Sequence, residues 1–531
     1  MADSHRWLRR ARRAFSRIQQ LRPLQVPDGP AQPVRDPWPG DAAEGARLVK
    51  GELNIAGTIR PLQPGGWNRL SEEMMPRAAA HGFTWLRDLR ALGTDAARAR
   101  ARLLVSDWIG TQHADAVAER PDVVGGRITA WLGHYDFFAA SADDVFRRKL
   151  MSRIAADAMT LAAALPAEEL DARALTALKG LIVAAVALPD RPGLLTRAQR
   201  FLPQEIARQI LPDGCHVERS PAVQLGALQD LIEIRSLLQT INAVQPAPIA
   251  SAIERMVLAL RTVRHGDGGL ALFNGSREGR SELTDLVLTQ AGRSGRPPAA
   301  LPDGGFYRLA AGRTVLVVDA GAPAGRGLDR FAHAGTLSFE LSIGRERLLV
   351  NCGAAPAASA AWRDAMRATA AHSTLVIADV NSSELAPEGL GRRPEKVAVE
   401  RQEASGAHWL ETSHDGWLKP FGAIHHRRLY VAESGEDVRG EDAIEAETPQ
   451  AFTIRFHLHP AVVATLQQDG EAALLRLPSG GGWRLRAEGA KMTLEESVYL
   501  GTDEAKRAEQ VVLSGYPDGP QQVKWAVSKV G

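Results

Sequence analysis

The densest group of chemically capable side chains is DGCHVERSP, residues 213–221. A Pro-Asp-Gly turn leads into His216, Glu218, Arg219 and Ser220, and a helix is predicted to start near Pro221. An imidazole, a carboxylate and a guanidinium beside a helix N-terminus can hold an anionic substrate and move a proton. The same residues also fit a plain helix start, with Ser220 as cap and Pro221 at the first helical position. A second group, HGFTWLRDLRALG (81–93), places His81, Trp85, Arg87, Asp88 and Arg90 on one helix. Arg87 and Asp88 are adjacent, so they cannot pair along a helix face and must serve different neighbours. A third, RITAWLGHYDFF (127–138), combines Arg127, Trp131, His134 and Tyr135. Flat indole faces beside Arg and His suit a sugar-binding cleft, so Trp85, Arg87, Trp131, His134 and Tyr135 are candidate substrate contacts. Taken one cluster at a time, aromatic packing between helices is the simpler explanation. HGDGGLALFNGS (265–276) reads as a tight loop carrying Asp267 and Asn274.

Further along, His333, Asn351 and His372 recur at strand-scale separations. Two imidazoles and an amide oxygen would make a weak zinc site, because zinc prefers a third imidazole, carboxylate or thiolate. A hydrogen-bonded histidine pair at a sheet edge explains them equally. In FTIRFHLHP, period-2 alternation puts Arg455, His457 and His459 on one strand face and Phe456 and Leu458 on the other. That face is either a metal chelate or simply polar.

The elements that must position these groups divide the chain in two. Over residues 68–290, Ala/Leu/Arg segments with helical spacing predominate, such as 145–165, 172–188 and 223–241. After SGRPPAALPDGG (294–305), short β-branched runs such as TVLVVDAG, STLVIAD and AFTIRFHLHP alternate with Gly, Asp and Pro turns. A helical array followed by a large antiparallel sandwich is the predicted architecture, multidomain α plus β. The divisions are 1–66 (a basic helix and irregular arm), 67–300 (helical) and 301–531 (strands).

Of 531 residues, 45% are hydrophobic and 24% charged, which excludes a largely disordered chain. Lys+Arg 64 against Asp+Glu 62 gives net +2, so no global polycation argues for nucleic acid. Two cysteines exclude a disulfide scaffold or a thiolate-rich zinc site. Five tyrosines leave few candidates for a phenol mechanism. The opening MADSHRWLRRARRAFSRIQQ places Trp7, Leu8, Ala11, Phe15 and Ile18 on one helical face amid arginines. Such a helix can lie on an anionic membrane surface or dock onto the body. No apolar run of the about 7 residues an export signal needs follows it. A cytoplasmic location is therefore expected, with the periplasm or cell envelope as the alternative.

HAGTLSFELSIGRERLLVNCG and WRDAMRATAAHSTLVIAD, with DGCHVERSP, WLRDLRALG and RITAWLGHYDFF upstream, resemble the heparinase II/III-like polysaccharide lyases. The resemblance spans about residues 65 to 515, including FHLHP and the segment LEESVYLGTDEAKRAEQVVLSG. It implies an N-terminal (α/α) toroid of helical hairpins, a C-terminal antiparallel β-sandwich and a cleft for acidic polysaccharide between them. Members cleave uronate chains by β-elimination, which needs a group neutralising the carboxylate, a base for the C5 proton and an acid for the leaving oxygen. The family supplies Asn or Asn-His on a toroid helix, a Tyr two residues after Ser-Pro, and a His at the sandwich edge. In this chain those positions are Lys179 and Gly180, Val223, and His333. In the HxHAD-type pattern around that His, the first His is Phe331 and the Asp is Gly335. The family's structural-metal ligands correspond to His333, Asn351 and His372, so a structural zinc is implied and no catalytic cofactor. Chemistry must then fall to His216, Glu218, Arg219 and His333. A binding protein that kept the cleft without turnover is the alternative.

Overall fold

The computed structural model describes residues 27–168, 170–188, 192–292, 295–467 and 470–530. The predicted basic helix with Trp7 and Phe15 lies outside them. Two compact units emerge. The first runs to Gln209 and adds Ala227–Ala252, and the second holds Ile210–Gly226 and Ile253–Gly531. The helices Pro221–Thr240 and Pro248–Thr262 each carry the chain from one unit to the other.

The first unit is helical. The segments predicted at 145–165 and 172–188 form Asp144–Ala164 and Arg173–Ala187. Asp143 caps the former by accepting from Phe146 N, and Thr94 caps Asp95–Gly110 by accepting from Ala97 N. Pro121–Gly133 opens on its proline. Part of the supposedly irregular arm is ordered. Ala42–Lys50 is a helix capped by Asp41 and ended by Gly51 at φ 93, followed by a hairpin pairing Glu52–Ile55 with Thr58–Pro61. The flanking prolines mask this helix in the composition, but its Asp cap and Gly stop are ordinary signals. Helices Pro121–Gly133 and Arg173–Ala187 touch backbone to backbone. A Cβ on Gly180 would lie 2.2 Å from Gly125 Cα, so both positions must be glycine.

The second unit is dominated by two antiparallel sheets. One has eight strands in the spatial order Val397–Ala404, Ala407–Trp417, Ala423–Val431, Asp437–Glu445, Gln522–Lys529, Gly482–Glu488, Ala472–Arg476, Val463–Gln467. The other has nine, with Phe452–Leu458, Glu346–Val350, Phe339–Ile343 and Thr314–Asp319 near its centre. Inward residues of both sheets, among them Leu316, Leu341, Leu410, Phe456, Leu485 and Trp525, form one buried apolar cluster. Alternation follows the predicted period. In Phe452–Leu458 the residues Phe452, Ile454, Phe456 and Leu458 face that core, while Thr453, Arg455 and His457 face away.

Candidate functional site

The cluster read first in the sequence, at 213–221, lies in the second unit on a turn fixed by its own side chains. Asp213 accepts from Cys215 N at 2.9 Å and from Gly304 N at 2.7 Å. Gln224 accepts from His216 N at 2.6 Å. Glu218 N donates to His216 Nδ1 at 3.2 Å, so the imidazole carries its proton on Nε2. His216 and Glu218 are both buried. Ser220 does not cap the helix at Pro221 through its hydroxyl, since Ser220 Oγ is buried without a hydrogen-bond partner.

Arg219 has φ 55, a left-handed conformation uncommon for a non-glycine residue. Its guanidinium is held by four acceptors: Nε donates to Gly304 O at 2.6 Å, one terminal nitrogen to Ala322 O at 2.7 Å and Gly321 O at 3.2 Å, and the other pairs with Asp319. Burial pushes the Asp319 carboxyl up, and Arg219 and Asn274 offset this only in part. Asn274 ties the group together. Its amide donates to Arg219 O at 3.0 Å and Asp319 Oδ2 at 3.1 Å, and its oxygen accepts from His333 N at 3.1 Å. Arg219 and His333 are therefore neighbours through Asn274, a link the sequence offered only as a turn residue. Asp319 was missed because it closes an apolar run, TVLVVD, and looked like a strand-end turn.

His333 and His372 pair with each other at 3.0 Å. His372 Nδ1 donates to Ala368 O at 2.8 Å, so its Nε2 must be the acceptor and His333 Nδ1 the donor. Burial drives both below the usual histidine range, His372 to about 4 and His333 well down, with the neighbouring His372 and Arg367 adding to it. Asn351 Oδ1 accepts from Ser373 N at 2.9 Å. Two imidazoles sharing one proton and an amide whose oxygen is already bonded do not fit zinc, which takes four strong donors. Among the described residues there is no group of three or more His, Cys, Asp or Glu placed to hold a metal. His457 is likewise bonded, its Nε2 to Ala370 O at 2.9 Å and its Nδ1 to Ser497 Oγ at 2.8 Å. His459 falls beyond the strand and approaches Glu278 at 3.9 Å.

At two positions where the resemblance places functional side chains, a Cβ would collide with the atoms already there. At Gly335, where the resemblance places Asp, a Cβ would meet His372 Cδ2 at 2.6 Å. At Gly180, where it places His, the obstacle is the Gly125 backbone. The adjacent Lys179 is buried and paired with Asp230 at 2.7 Å and Glu233 at 3.0 Å. Trp38 Nε1 donates to Glu233 at 2.6 Å and Thr176 Oγ1 to Asp230 at 2.7 Å, closing the network. Burial alone would lower the Lys179 pKa, but the two carboxylates outweigh it and hold the ammonium charged.

In the first unit, the candidate sugar contacts Trp85, Trp131, His134 and Tyr135 are buried and Arg87 is half-buried. Trp131 is 0% exposed and meets Phe83 and Trp108 edge-on. Trp85 is buried and donates to Ala80 O at 3.1 Å. Arg87 pairs with Asp36 at 2.8 Å while Asp88 accepts from Asp41 N at 2.8 Å, the separate partners their adjacency requires. His134 also reaches Asp36, at 3.2 Å. Tyr135 OH donates to Asp28 O at 3.4 Å.

Comparison with known proteins agrees with this architecture. Residues 293–526 match the heparinase II/III-like C-terminal family. The whole fold is that of heparinase III: one crystal structure of that enzyme superposes with a TM-score of 0.75 at 14% identity, covering 100% of this chain and 90% of the other. A heparan sulfate lyase from Pedobacter heparinus gives a TM-score of 0.62 at 16% identity, covering 99% of this chain and 88% of that one. In sequence, the chain is 29% identical over 532 residues to FtsZ-localized protein C of Caulobacter vibrioides, 95% of this chain and 91% of that protein. The chain thus carries a heparinase II/III-like C-terminal domain within a lyase-type fold, a helical toroid followed by a β-sandwich.

Proposed function

We propose that this protein keeps the polysaccharide-lyase fold without its chemistry and acts as a binding protein localised with FtsZ. The observation that carries the first half is the pair of glycines. Gly180 and Gly335 stand where the family places a His and an Asp; the Gly125 backbone blocks a side chain at the first, and at the second a side chain would have to displace the His372 ring. The guanidinium that would neutralise a carboxylate is largely spent within the protein. Arg219 is committed to Asp319 and three carbonyls, which leaves about one of its five N–H groups and no two-pronged grip for a uronate carboxylate. Val223 offers no phenol where the family has tyrosine. The second half rests on likeness to FtsZ-localized protein C along nearly the whole length of both chains.

Acidic polysaccharide remains a candidate ligand, bound rather than cut. The basic, amphipathic start of the chain supplies peripheral contact with an anionic membrane surface. No described helix is long and apolar enough to cross a membrane. The test is a fluorescent fusion imaged in living cells together with FtsZ. Co-localisation that disperses when FtsZ is depleted supports the proposal, and a distribution indifferent to FtsZ refutes it.

An active lyase is the competing reading, and one observation favours it. The tautomer leaves His333 Nε2 with its lone pair, on a residue linked to Arg219 through Asn274. The depressed basicity of His333 makes it a poor proton acceptor from a sugar carbon.

A further inference from the structure

We infer that the outer face of the eight-stranded sheet is a binding trough for an uncharged oligosaccharide. This face lies wholly within the second unit and is independent of the residues discussed above. It encloses an open trough of about 1250 Å³. Its floor is written in cross-strand register. One row runs Trp409, Tyr430, Arg439, Ala526, Arg486 across five strands. The next runs Glu411, Arg428, Glu441, Lys524, Glu488 across the same five. With strands about 4.8 Å apart, each row spans about 19 Å, room for a short sugar chain lying across the strands.

Three features select the ligand. At one end Trp409 is 37% exposed, an unusual state for an indole, and packs 5.1 Å from the Tyr430 ring. The exposed indole face is an apolar surface of the kind a pyranose face covers, and the Tyr430 ring, tilted 47° to it, flanks it as a side wall. In the middle Ala526 keeps the floor low. Beyond it, acids and bases alternate along the second row, so donors and acceptors alternate as well. Sugar hydroxyls both donate and accept, and match such a row wherever they fall. Charge decides between sugars. The trough is lined by four basic side chains (Arg428, Arg439, Arg486, Lys524) and five acidic ones (Glu411, Asp437, Glu441, Glu471, Glu488). Several are already compensated, as in Arg428–Glu441 at 3.0 Å and Arg439–Asp437 at 2.6 Å. A polyanion gains nothing from such a balanced surface. A peptide seeking strand pairing finds none here either, because the strands that form these rows already pair with their neighbours in the sheet.

Isothermal calorimetry of the full chain against cellotetraose, chitotetraose, maltotetraose and a heparan sulfate tetrasaccharide tests this. At least one neutral tetrasaccharide should bind saturably. Trp409→Ala should weaken it about tenfold, from the loss of one aromatic contact. Trp409→Phe, which keeps a ring, should retain most of the affinity, and Ala526→Phe, which fills the trough from its floor, should abolish binding. Melting curves matching the parent chain show that these variants are folded. The inference is overturned if none of the neutral sugars binds, if binding survives both Trp409→Ala and Ala526→Phe, or if only the sulfated sugar binds. Selection of an extended peptide on this face in place of any sugar overturns it too.

Discussion

Lys179 provides the sharpest test of the buried network it forms with Asp230 and Glu233. Replacing it with methionine keeps the length of the side chain and removes one cation from between two buried carboxylates. At an effective dielectric of about 20, a unit charge 2.7 or 3.0 Å from its partner is attracted by about 6 kcal/mol. Desolvation of all three groups cancels part of that, and loss of one partner from a buried ion pair typically costs about 3–5 kcal/mol. For a unit of this size each kcal/mol moves the melting temperature by about 2–4 °C, so Lys179→Met should melt about 6–20 °C lower near neutral pH. The deficit has a definite pH dependence. Burial and the neighbouring Asp230 already raise the Glu233 pKa in the folded state, and without the ammonium that opposes them it rises further above its unfolded value. Stability is then present below the unfolded Glu233 value and lost as pH rises through the folded one, so the variant recovers towards pH 5 and is weakest at pH 8. Differential scanning calorimetry of both proteins across that range reads the difference. A melting temperature within about 2 °C of the parent at every pH would refute the stabilising role of the buried triad.

Other consequences follow from the same contacts. Gly335→Asp should displace the His372 ring and destabilise the second unit by about 1–3 kcal/mol, measured by denaturant unfolding, without creating lyase activity. Arg219→Met should cost about 3–5 kcal/mol by stranding Asp319, and the double variant with Asp319→Asn should recover much of that loss, a coupling that a double-mutant cycle measures directly. His372 is held to about 4 and His457 to about 3, so the unfolded chain takes up their protons first on acidification. Their contribution is intact above about pH 6.5 and is lost as pH falls towards those values. Melting temperatures should therefore drop steeply between about pH 6.5 and 4, and less steeply in His372→Gln.

Much of the fold was legible because it depends on periodicity. Apolar spacing located Asp144–Ala164, Arg173–Ala187 and Pro221–Thr240 to within a residue or two, and alternation assigned the two faces of Phe452–Leu458 correctly. The helix Ala42–Lys50 escaped because prolines and glycines on either side dominate the composition of its segment. The site was harder for a different reason. His216, Arg219 and His333 could be named from residue type, but whether a polar group is available or spent depends on partners far away in sequence. Arg219 meets Asp319 a hundred residues on, and Lys179 meets Glu233 across two helices. Trp85 and Trp131 show the same limit, since an indole suits a cleft or a core equally until its neighbours are known. The trough was invisible because its residues come from five strands and share no local pattern.

The central claim is that the lyase fold here no longer carries lyase chemistry. The most direct measurement is prolonged incubation of the full chain with heparan sulfate, chondroitin, hyaluronan, alginate and pectate, following ultraviolet absorbance of unsaturated uronate ends. The account predicts no product above a protein-free control on any chain, with heparinase III as the positive control. Unsaturated product that disappears in His333→Ala, with the variant still folded, would contradict it.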